Sequence, residues 1–397
     1  MHRLRGNPRA YAWGSTDAIP ALLGIPTSIE PLAEMWFGAH PSAPSTLLSS
    51  EPASDLAELI ASDPVAMLGQ DVRARFGDTL PYLLKLIAPA RPLSLQVHPH
   101  LARAREGFAR EESAGIPITA DNRSYRDDNH KPELVFALTP FEALCGFRAP
   151  RRAAELFAEL GTPLARRLRE LLVAQPSAVG VEAAFTFLLD SRTRPSSEAV
   201  EALARECGAR LAAGSTSPRA DATVVLLNEA YPGDPGVVAS LLLNPVSLQP
   251  GEALFVPAGG VHAYLSGLGI EIMASSDNVL RAGLTVKHVD TVELLACVDY
   301  VAAPPIRTAP EIFHGATRVF YAPVDDFELS VTDLLDEDVH PLPGRGPRTL
   351  LCMEGEIAVT SMIDSLVLSR GEAAFVPATE GALTARGRGT LVQADVP

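Results

Sequence analysis

The hydrophobic pattern divides the chain into segments of different character. Apolar or alternating runs of strand length lie at 82–87, 93–98 and 134–138, each bounded by proline on at least one side. From 151 to 244 the apolar residues instead recur three and four positions apart, the spacing of a helix with one buried face. After Asn244 short strand-like runs return. The chain is therefore predicted to be mainly β, with a helical insertion.

Helical segments are predicted in two parts of the chain. Within the insertion, the leucines of 151–176 follow helical spacing, and 181–190 and 197–213 are rich in Ala, Leu, Glu and Arg. Before the insertion, short helices are predicted at 53–62 and 101–113. The arginine-rich faces of the insertion are interpreted as solvated helix surface.

An internal repeat indicates a duplicated β unit. Residues 251–258 read GEALFVPA and residues 371–378 read GEAAFVPA, so seven of eight positions match. A turn followed by a short apolar strand and a proline resembles the second half of the cupin motif, which implies two antiparallel jelly-roll barrels. His262 follows the first copy, whereas Ala382 stands at the matching position after the second. We therefore expect metal chemistry once per chain, in the first barrel.

These patterns predict four segments. Residues 1–150 are expected to form the N-terminal part of the catalytic cupin barrel, and 151–244 the helical insertion. Residues 245–310 are expected to complete the catalytic region. Residues 311–397 are expected to form a degenerate C-terminal barrel with a structural role.

Composition narrows the functional classes. Apolar residues make up 47% of the 397 residues and charged residues 20%, enough for a large buried core. The formal net charge of -15 disfavours nonspecific nucleic-acid binding, because a phosphate backbone is repelled. The four cysteines lie far apart, as expected for reduced thiols in a cytosolic protein. No apolar run approaches the roughly 20 residues of a spanning helix, so we expect a soluble, cytoplasmic protein without membrane contact.

Four side chains form a candidate metal site. Gln96 and His98 are two positions apart in a predicted strand, so both project to one face. Glu133 begins a later strand, and His262 follows a glycine pair. Two imidazoles and a carboxylate suit zinc, with an amide oxygen as a weaker fourth donor. His100 is a candidate by the same spacing, and spacing alone does not bring the distant residues together.

Several stretches resemble type I mannose-6-phosphate isomerases, and they follow that family's order along the chain. The matching stretches are YAWG at 11–14, AEMWFGAHPS at 33–42, PLSLQVHP at 92–99, DNHKPE at 128–133, FEALCGFR at 141–148, GVHAYL at 260–265 and ASSDNVLRAGLT at 274–285. An ordered set of this kind is far more specific than any one motif.

The resemblance implies a site and a reaction. It assigns Gln96, His98, Glu133 and His262 as ligands of one zinc ion per chain, and it implies two cupin-like barrels plus an α-helical domain. The implied reaction interconverts mannose 6-phosphate and fructose 6-phosphate, by ring opening and proton transfer through a cis-enediol. The implied role is mannose metabolism or GDP-mannose supply. The resemblance also implies a monomer whose partner is a small sugar phosphate.

Candidate catalytic residues lie inside or beside the matched motifs. His130 and Lys131 directly precede the HKPE proline, and either suits ring opening or proton transfer. Glu271 is an alternative base or a hydrogen-bonding anchor. Arg281 is expected to stabilise an enediolate oxygen or to bind phosphate. The sequence leaves the choice of base open.

Candidate phosphate ligands are Ser94, Lys85 and Lys287. Val286 stands where the family commonly has proline, which leaves the placement of Lys287 uncertain. No glycine-rich GxxxxGK[ST] loop is present, so the sequence does not support nucleotide binding.

Two other functions fit a metal-binding cupin. One is a sensor or structural protein that binds a sugar without converting it. The other is an iron-dependent oxygenase, which the neutral amide of Gln96 disfavours, since that chemistry uses a histidine-rich facial site with open positions.

Overall fold

The computed structural model describes residues 1–27, 29–48 and 54–397. The strands in these ranges are β1 (His2–Arg5), β2 (Asn7–Arg9), β3 (Glu34–Phe37), β4 (Thr46–Leu47), β5 (Tyr82–Ile87), β6 (Leu95–Val97), β7 (Glu133–Ala137), β8 (Phe141–Phe147), β9 (Leu243–Leu248), β10 (Ala253–Val256), β11 (His262–Ser266), β12 (Gly269–Ala274), β13 (Leu280–Gly283), β14 (Ile306–Thr308), β15 (Glu311–Phe313), β16 (Thr317–Tyr321), β17 (Glu328–Leu334), β18 (His340–Leu342), β19 (Arg348–Thr360), β20 (Ser365–Ser369), β21 (Ala373–Val376) and β22 (Leu383–Asp395).

The helices in the same ranges are α1 (Ala18–Leu23), α2 (Leu56–Ser62), α3 (Pro64–Phe76), α4 (Leu101–Ser113), α5 (Pro150–Ala158), α6 (Pro163–Ala174), α7 (Ala178–Leu189), α8 (Ser197–Ala212), α9 (Pro218–Ala230), α10 (Pro235–Ala239) and α11 (Thr291–Cys297). Two short 3-10 helices lie at Ser240–Leu242 and Ala378–Glu380. Among the described residues, every helix falls short of the length and apolar character that crossing a membrane requires.

The described strands form three antiparallel sheets. The seven-stranded sheet has the order β14-β10-β7-β12-β5-β3-β2, and the five-stranded sheet has the order β13-β6-β11-β8-β9. The ten-stranded sheet has the order β15-β16-β17-β22-β19-β21-β1-β4. In addition, β18 pairs with β22, and β20 pairs with β19. The chain is mainly β with helices, as predicted.

The hydrophobic core consists of layers between these sheets. One face of the seven-stranded sheet packs against the five-stranded sheet through residues such as Val135, Leu254 and Tyr264. Its other face packs against the ten-stranded sheet through residues such as Leu84 and Phe375. The seven-stranded sheet is therefore the central layer. The apolar surface that it buries on both faces contributes to stability at roughly 25 cal/mol per Å².

The helices α5 to α10 cover the outer face of the five-stranded sheet. Leu95 and Val97 of β6 belong to the same apolar cluster as Leu168 and Phe185 of the helices. Because neighbouring residues of a strand point to opposite faces, Gln96 projects to the inner side, toward the seven-stranded sheet. The helical layer thus fixes the strand that carries a predicted metal ligand.

Three predicted elements differ in extent. The helical pattern over 151–176 is two helices, because Thr162 caps a new helix whose first residue is Pro163. The strand predicted at 93–98 is regular only over Leu95–Val97, although the Leu93 N–H still donates to the Tyr264 carbonyl oxygen, and Pro92 and Pro99 limit its extension because proline has no N–H donor. The helix predicted at 53–62 begins at Leu56, after the capping box of Asp55, and residue 53 lies outside the described residues.

The predicted segment boundaries remain predictions, and one arrangement differs from them. Strands β1 and β4 pair with each other, and β1 also pairs with β21. These N-terminal strands therefore lie in the ten-stranded sheet with strands from the end of the chain, although residues 1–150 were assigned to the catalytic barrel. The two ends of the chain are tied together by these backbone hydrogen bonds.

The seven-stranded and ten-stranded sheets have corresponding strand orders. The order β14-β10-β7-β12-β5-β3-β2 matches β1-β21-β19-β22-β17-β16-β15, with the repeated sequence in β10 and β21. In the seven-stranded sheet, Val256 of β10 pairs with Glu133 of β7. In the ten-stranded sheet, Val376 of β21 pairs with Arg348 of β19, which is fully buried. Arg348 therefore occupies the position that corresponds to the candidate metal ligand Glu133.

The hydroxyl of Tyr82 joins the two sheets. It lies 3.1 Å from the carbonyl oxygen of Ala394, 3.2 Å from that of Pro347 and 3.3 Å from the Thr349 hydroxyl. All of these groups are buried, so no solvent replaces a lost contact.

We expect Tyr82→Phe to lower the free energy of unfolding by about 1–2 kcal/mol, because buried carbonyl oxygens lose their donor. Urea unfolding followed by far-UV circular dichroism measures the change. The matched control is Tyr321→Phe, a half-exposed tyrosine in β16, which should change stability by less than about 0.5 kcal/mol. Equal effects of the two substitutions would contradict the proposed role of the Tyr82 hydroxyl.

Candidate metal and active site

Three predicted ligands meet between the seven-stranded and five-stranded sheets. His98, Glu133 and His262 each offer one ligand atom, and these atoms lie within 4.8 Å of one another. Glu133 begins β7 in one sheet, whereas His262 begins β11 in the other and His98 directly follows β6. All three side chains are buried. The sheet packing thus brings together residues that are far apart in the sequence.

Hydrogen bonds fix the two imidazole rings. Nδ1 of His98 donates to the Asn278 carbonyl oxygen over 2.7 Å, and Nδ1 of His262 donates to the Gly260 carbonyl oxygen over 3.0 Å. A carbonyl oxygen only accepts, so each ring carries its proton on Nδ1 and has a lone pair on Nε2. This is the tautomer that a metal-binding histidine needs.

The facing atoms of the three residues themselves are all acceptors, and the donors beside Glu133 are the Tyr264 hydroxyl, 3.4 Å from Oε2, and Nζ of Lys131. Nε2 of His98 lies 3.1 Å from Oε1 of Glu133, and Nε2 of His262 lies 3.5 Å from Oε2. Among the described residues, Nε2 of His98 is a buried nitrogen without a hydrogen-bond partner. Lone pairs directed at a carboxylate are stable only with a cation between them. The three residues therefore fit a divalent metal ion.

The electrostatics favour the ligating protonation states. Burial lowers the pKa of His98 to about 4, so its imidazole is neutral near pH 7. Burial also raises the pKa of Glu133, but its interactions with His98 and Lys131 outweigh burial and hold that pKa well below its usual value. His98 thus offers a neutral imidazole and Glu133 an ionised carboxylate, the forms that bind zinc.

Gln96 lies in the same row of the five-stranded sheet as His262. The two are register partners between β6 and β11, and Arg281 of β13 is the partner of Gln96 on its other side. Cys145, the other partner of His262, packs in the core between the sheets. Register partners project to the same face, so Gln96 and Arg281 also face the space that contains Glu133.

Two lysines have different surroundings. Nζ of Lys131 lies 3.3 Å from Oε1 of Glu133, beside the metal ligands. Nζ of Lys85 lies 3.1 Å from Oε2 of Glu271, and both of these residues are buried. Burial lowers the pKa of Lys85, but the carboxylates of Glu34 and Glu271 outweigh burial and raise that pKa above its usual value. Lys85 and Glu271 are therefore a closed internal ion pair.

A cleft of about 1060 Å³ opens beside this site. His130, Asp277 and Arg126 contribute to its lining. Nε2 of His130 lies 3.0 Å from a carboxylate oxygen of Asp326, which precedes β17 in the ten-stranded sheet. The cleft wall therefore combines residues of the loops that precede β7 and β17.

Three further sequence candidates lie outside the cluster of His98, Glu133 and His262. Ser94 is half-buried and directly precedes β6, whereas Lys287 is exposed after β13. Partial burial and the nearby charges of Arg281 and Arg126 lower the pKa of Lys287. His100 is exposed at the start of α4, outside the ligand cluster found among the described residues.

The chain is similar to known isomerases over almost its whole length. It is 40% identical to the mannose-6-phosphate isomerase of Escherichia coli K12 over 99% of both chains. It is 32% identical to the enzyme of the same name from Aspergillus fumigatus, over 95% of this chain and 91% of that one. Residues 1–150 match the model of the type I phosphomannose isomerase catalytic domain.

The chain belongs to the type I phosphomannose isomerase family. It is therefore an enzyme, as predicted.

Solved structures of phosphomannose isomerases share its fold. A mutant of the Salmonella typhimurium enzyme matches with a TM-score of 0.89 and 38% identity, over 99% of this chain and 98% of that one. A mannose 6-phosphate isomerase bound with zinc and yttrium matches with a TM-score of 0.88 and 39% identity over the same shares.

Asn278 is a site residue that the sequence did not single out, although it lies within a stretch that resembles this phosphomannose isomerase family. Its backbone carbonyl holds His98. Its side-chain oxygen accepts from the backbone N–H of Arg126, and its side-chain nitrogen donates to the carbonyl oxygens of Asp127 and Asn129. One fully buried amide thus fixes a metal-ligand candidate and the loop before the HKPE motif together.

We expect Asn278→Ala to weaken Co²⁺ binding about tenfold or more, because the carbonyl that orients His98 loses its anchor. Competition with a chromophoric chelator measures the dissociation constant. The control is Asn228→Ala, which removes an amide in the helical layer that bonds the Gly233 N–H. Unchanged Co²⁺ affinity in the Asn278 variant would show that the carbonyl is held by other contacts.

Proposed function

We propose that the protein interconverts mannose 6-phosphate and fructose 6-phosphate with a bound zinc ion. The observation that carries this proposal is the buried cluster of His98, Glu133 and His262, whose facing atoms all need a cation. The related structure bound with zinc supports the choice of metal. Two imidazoles and a carboxylate are also a common donor set for catalytic zinc.

Gln96 is proposed as the fourth ligand, because its register pairing with His262 directs its amide to the same face. We also propose one zinc ion per chain. Arg348, at the position in the ten-stranded sheet that corresponds to Glu133, places a guanidinium where the other sheet has a carboxylate ligand. A fixed cation there disfavours a second metal ion.

Arg126, Arg281 and Lys287 are proposed to bind the phosphate group. Among the described residues, none of the three has an ion-pair partner, and their charges are close enough to affect one another. Burial and the Arg126 guanidinium lower the pKa of Arg281, as expected for neighbouring cations without a counter-ion. A phosphate dianion relieves this repulsion and accepts charge-assisted hydrogen bonds. Ser94 and Lys85 remain weaker candidates, since Lys85 is already paired with Glu271.

Lys131 is proposed to transfer the proton between C2 and C1 as the neutral amine, a form that a nearby zinc ion would favour by repelling the ammonium charge. Its Nζ lies beside Glu133, whereas Glu271 is the other candidate and is held in its ion pair with Lys85. Lys131 takes the proton from C2 and returns it to C1 on the same face, while the proton of the C2 hydroxyl passes to the C1 oxygen, so that C1 carries a hydroxyl and C2 becomes a carbonyl. Arg281 is the register partner of the proposed ligand Gln96, and it is also proposed to stabilise charge on the sugar oxygens.

His130 is proposed to open the sugar ring, since it lines the cleft beside these groups. The bound zinc ion supplies Lewis-acid polarisation of the sugar oxygens. The two jelly-roll barrels, the helical domain, the monomeric state, the cytoplasmic location and the role in mannose metabolism or GDP-mannose supply stay predictions. Family membership favours the enzyme over a sugar-binding sensor or an oxygenase.

We expect purified protein to form fructose 6-phosphate from mannose 6-phosphate, to lose activity after chelation and to regain it when zinc is restored. A coupled assay for fructose 6-phosphate measures the rate, and metal analysis should find about one zinc ion per chain. Absence of turnover in the zinc-loaded protein would favour the sensor. Activity that survives complete removal of metal would contradict the proposed role of zinc.

We expect Arg126→Ala to raise KM for mannose 6-phosphate about tenfold or more and to change kcat less than threefold, because a phosphate ligand contributes mainly uniform binding. Steady-state kinetics separate the two constants. The matched control is Arg152→Ala, an exposed arginine of α5 that removes the same charge. An unchanged KM in the Arg126 variant, or an equal rise in the control, counts against this phosphate site.

A further inference from the structure

A buried carboxylate from the loop before β17, a strand of the ten-stranded sheet, holds His130. The two carboxylate oxygens of Asp326 lie 3.0 and 3.1 Å from Nε2 of His130. Asp326 is 4% exposed, and it directly precedes Phe327, a residue of the core between the ten-stranded and seven-stranded sheets. His130 lies three residues before Glu133 in β7. The contact therefore joins the ten-stranded sheet to the segment that carries the proposed catalytic residues.

The geometry defines the protonation pattern of the imidazole. An ionised carboxylate only accepts hydrogen bonds, so Nε2 of His130 carries a proton and donates it to Asp326. The neutral ring then has its lone pair on Nδ1, as in other carboxylate–imidazole pairs that set a tautomer. Among the described residues, Asp326 has no other ion-pair partner, and a buried carboxylate without a partner is costly. Both groups are therefore stabilised by the same contact.

The backbone on the other side of His130 is held as well. The N–H of His130 donates to the side-chain oxygen of Asn129 over 3.0 Å, and Asn129 bonds Asn278 through its carbonyl oxygen. Asp326 therefore needs to fix only the ring. Both His130 and Asp326 line the 1060 Å³ cleft, where a sugar phosphate has room to bind.

We propose that Asp326 is a positioning residue for the ring-opening step, and this proposal rests on the proposed function. Asp326 keeps the proton of His130 on Nε2, so that Nδ1 accepts the proton of the sugar O1 hydroxyl. As that proton leaves, the C1–O1 bond becomes a carbonyl and the electron pair of the C1–O5 bond moves to O5. The imidazolium then returns a proton to O5 from Nδ1. The ten-stranded sheet thereby contributes to the reaction without touching the substrate.

The first test measures the histidine itself. In protein labelled with ¹⁵N-histidine, the ring signals of His130, assigned by their loss in His130→Gln, should show the Nε2–H tautomer. Asp326→Ala should move these signals to a mixture of tautomers, whereas Asp325→Ala, the exposed neighbour on the same cleft, should leave them unchanged. Signals that do not respond to Asp326→Ala would overturn the proposal. Asp326→Asn retains the shape of the side chain and replaces Asp326→Ala if that variant does not fold.

The second test uses kinetics. We expect Asp326→Ala to lower kcat about tenfold and to change KM less than twofold, with zinc content unchanged. In a His130→Gln background the same substitution should lower kcat less than twofold further, because Asp326 acts through the ring. An equal loss in both backgrounds, or no loss in either, would overturn the positioning role. If the wild-type protein shows the tautomer but no isomerase activity, the proposed function fails while the contact stands.

Discussion

A carboxylate buried between two sheets imposes the main constraint on this molecule. Glu133 lies in the core, where an isolated negative charge is very unfavourable, so positive charge must be brought to it. His98 and His262 come from the opposite sheet and turn their lone pairs toward it, and Lys131 places an ammonium beside it. A divalent metal ion held by these residues would complete this charge balance and supply the Lewis-acid chemistry proposed for the site.

The layers around this carboxylate determine where each functional group lies. The helical layer buries one face of β6, so the alternation of the strand turns Gln96 inward. The ten-stranded sheet supports the other side and contributes Asp326 to the cleft. Asn278 connects the metal-ligand candidate His98 to the loop before His130. Its backbone carbonyl oxygen accepts from the ring of His98, and its side chain donates to the carbonyl oxygen of Asn129 in that loop. Different layers of the molecule thus hold different parts of the site.

The sequence was informative where chemistry and short-range pattern coincide. The spacing of Gln96 and His98, the helix at 101–113 and the repeat at 251–258 all depend on local periodicity, and β6, α4 and β10 follow it. Contacts between distant segments leave no such signal. The resemblance grouped the ligands, but Asp326 and Arg126 lie outside the matched motifs, and only the packing of loops from separate sheets reveals their neighbours.

Glu133 and Arg348 lie at corresponding positions of the seven-stranded and ten-stranded sheets, but their side chains carry opposite charges. A metal ion can be removed by a chelator, but a guanidinium is bonded covalently to the chain and stays charged at every physiological pH. The ten-stranded sheet therefore keeps its internal cation when the metal is lost. Removal of a metal ion would change the charge around Glu133, where Nζ of Lys131 would remain as a fixed cation, and would leave the charge inside the ten-stranded sheet unchanged.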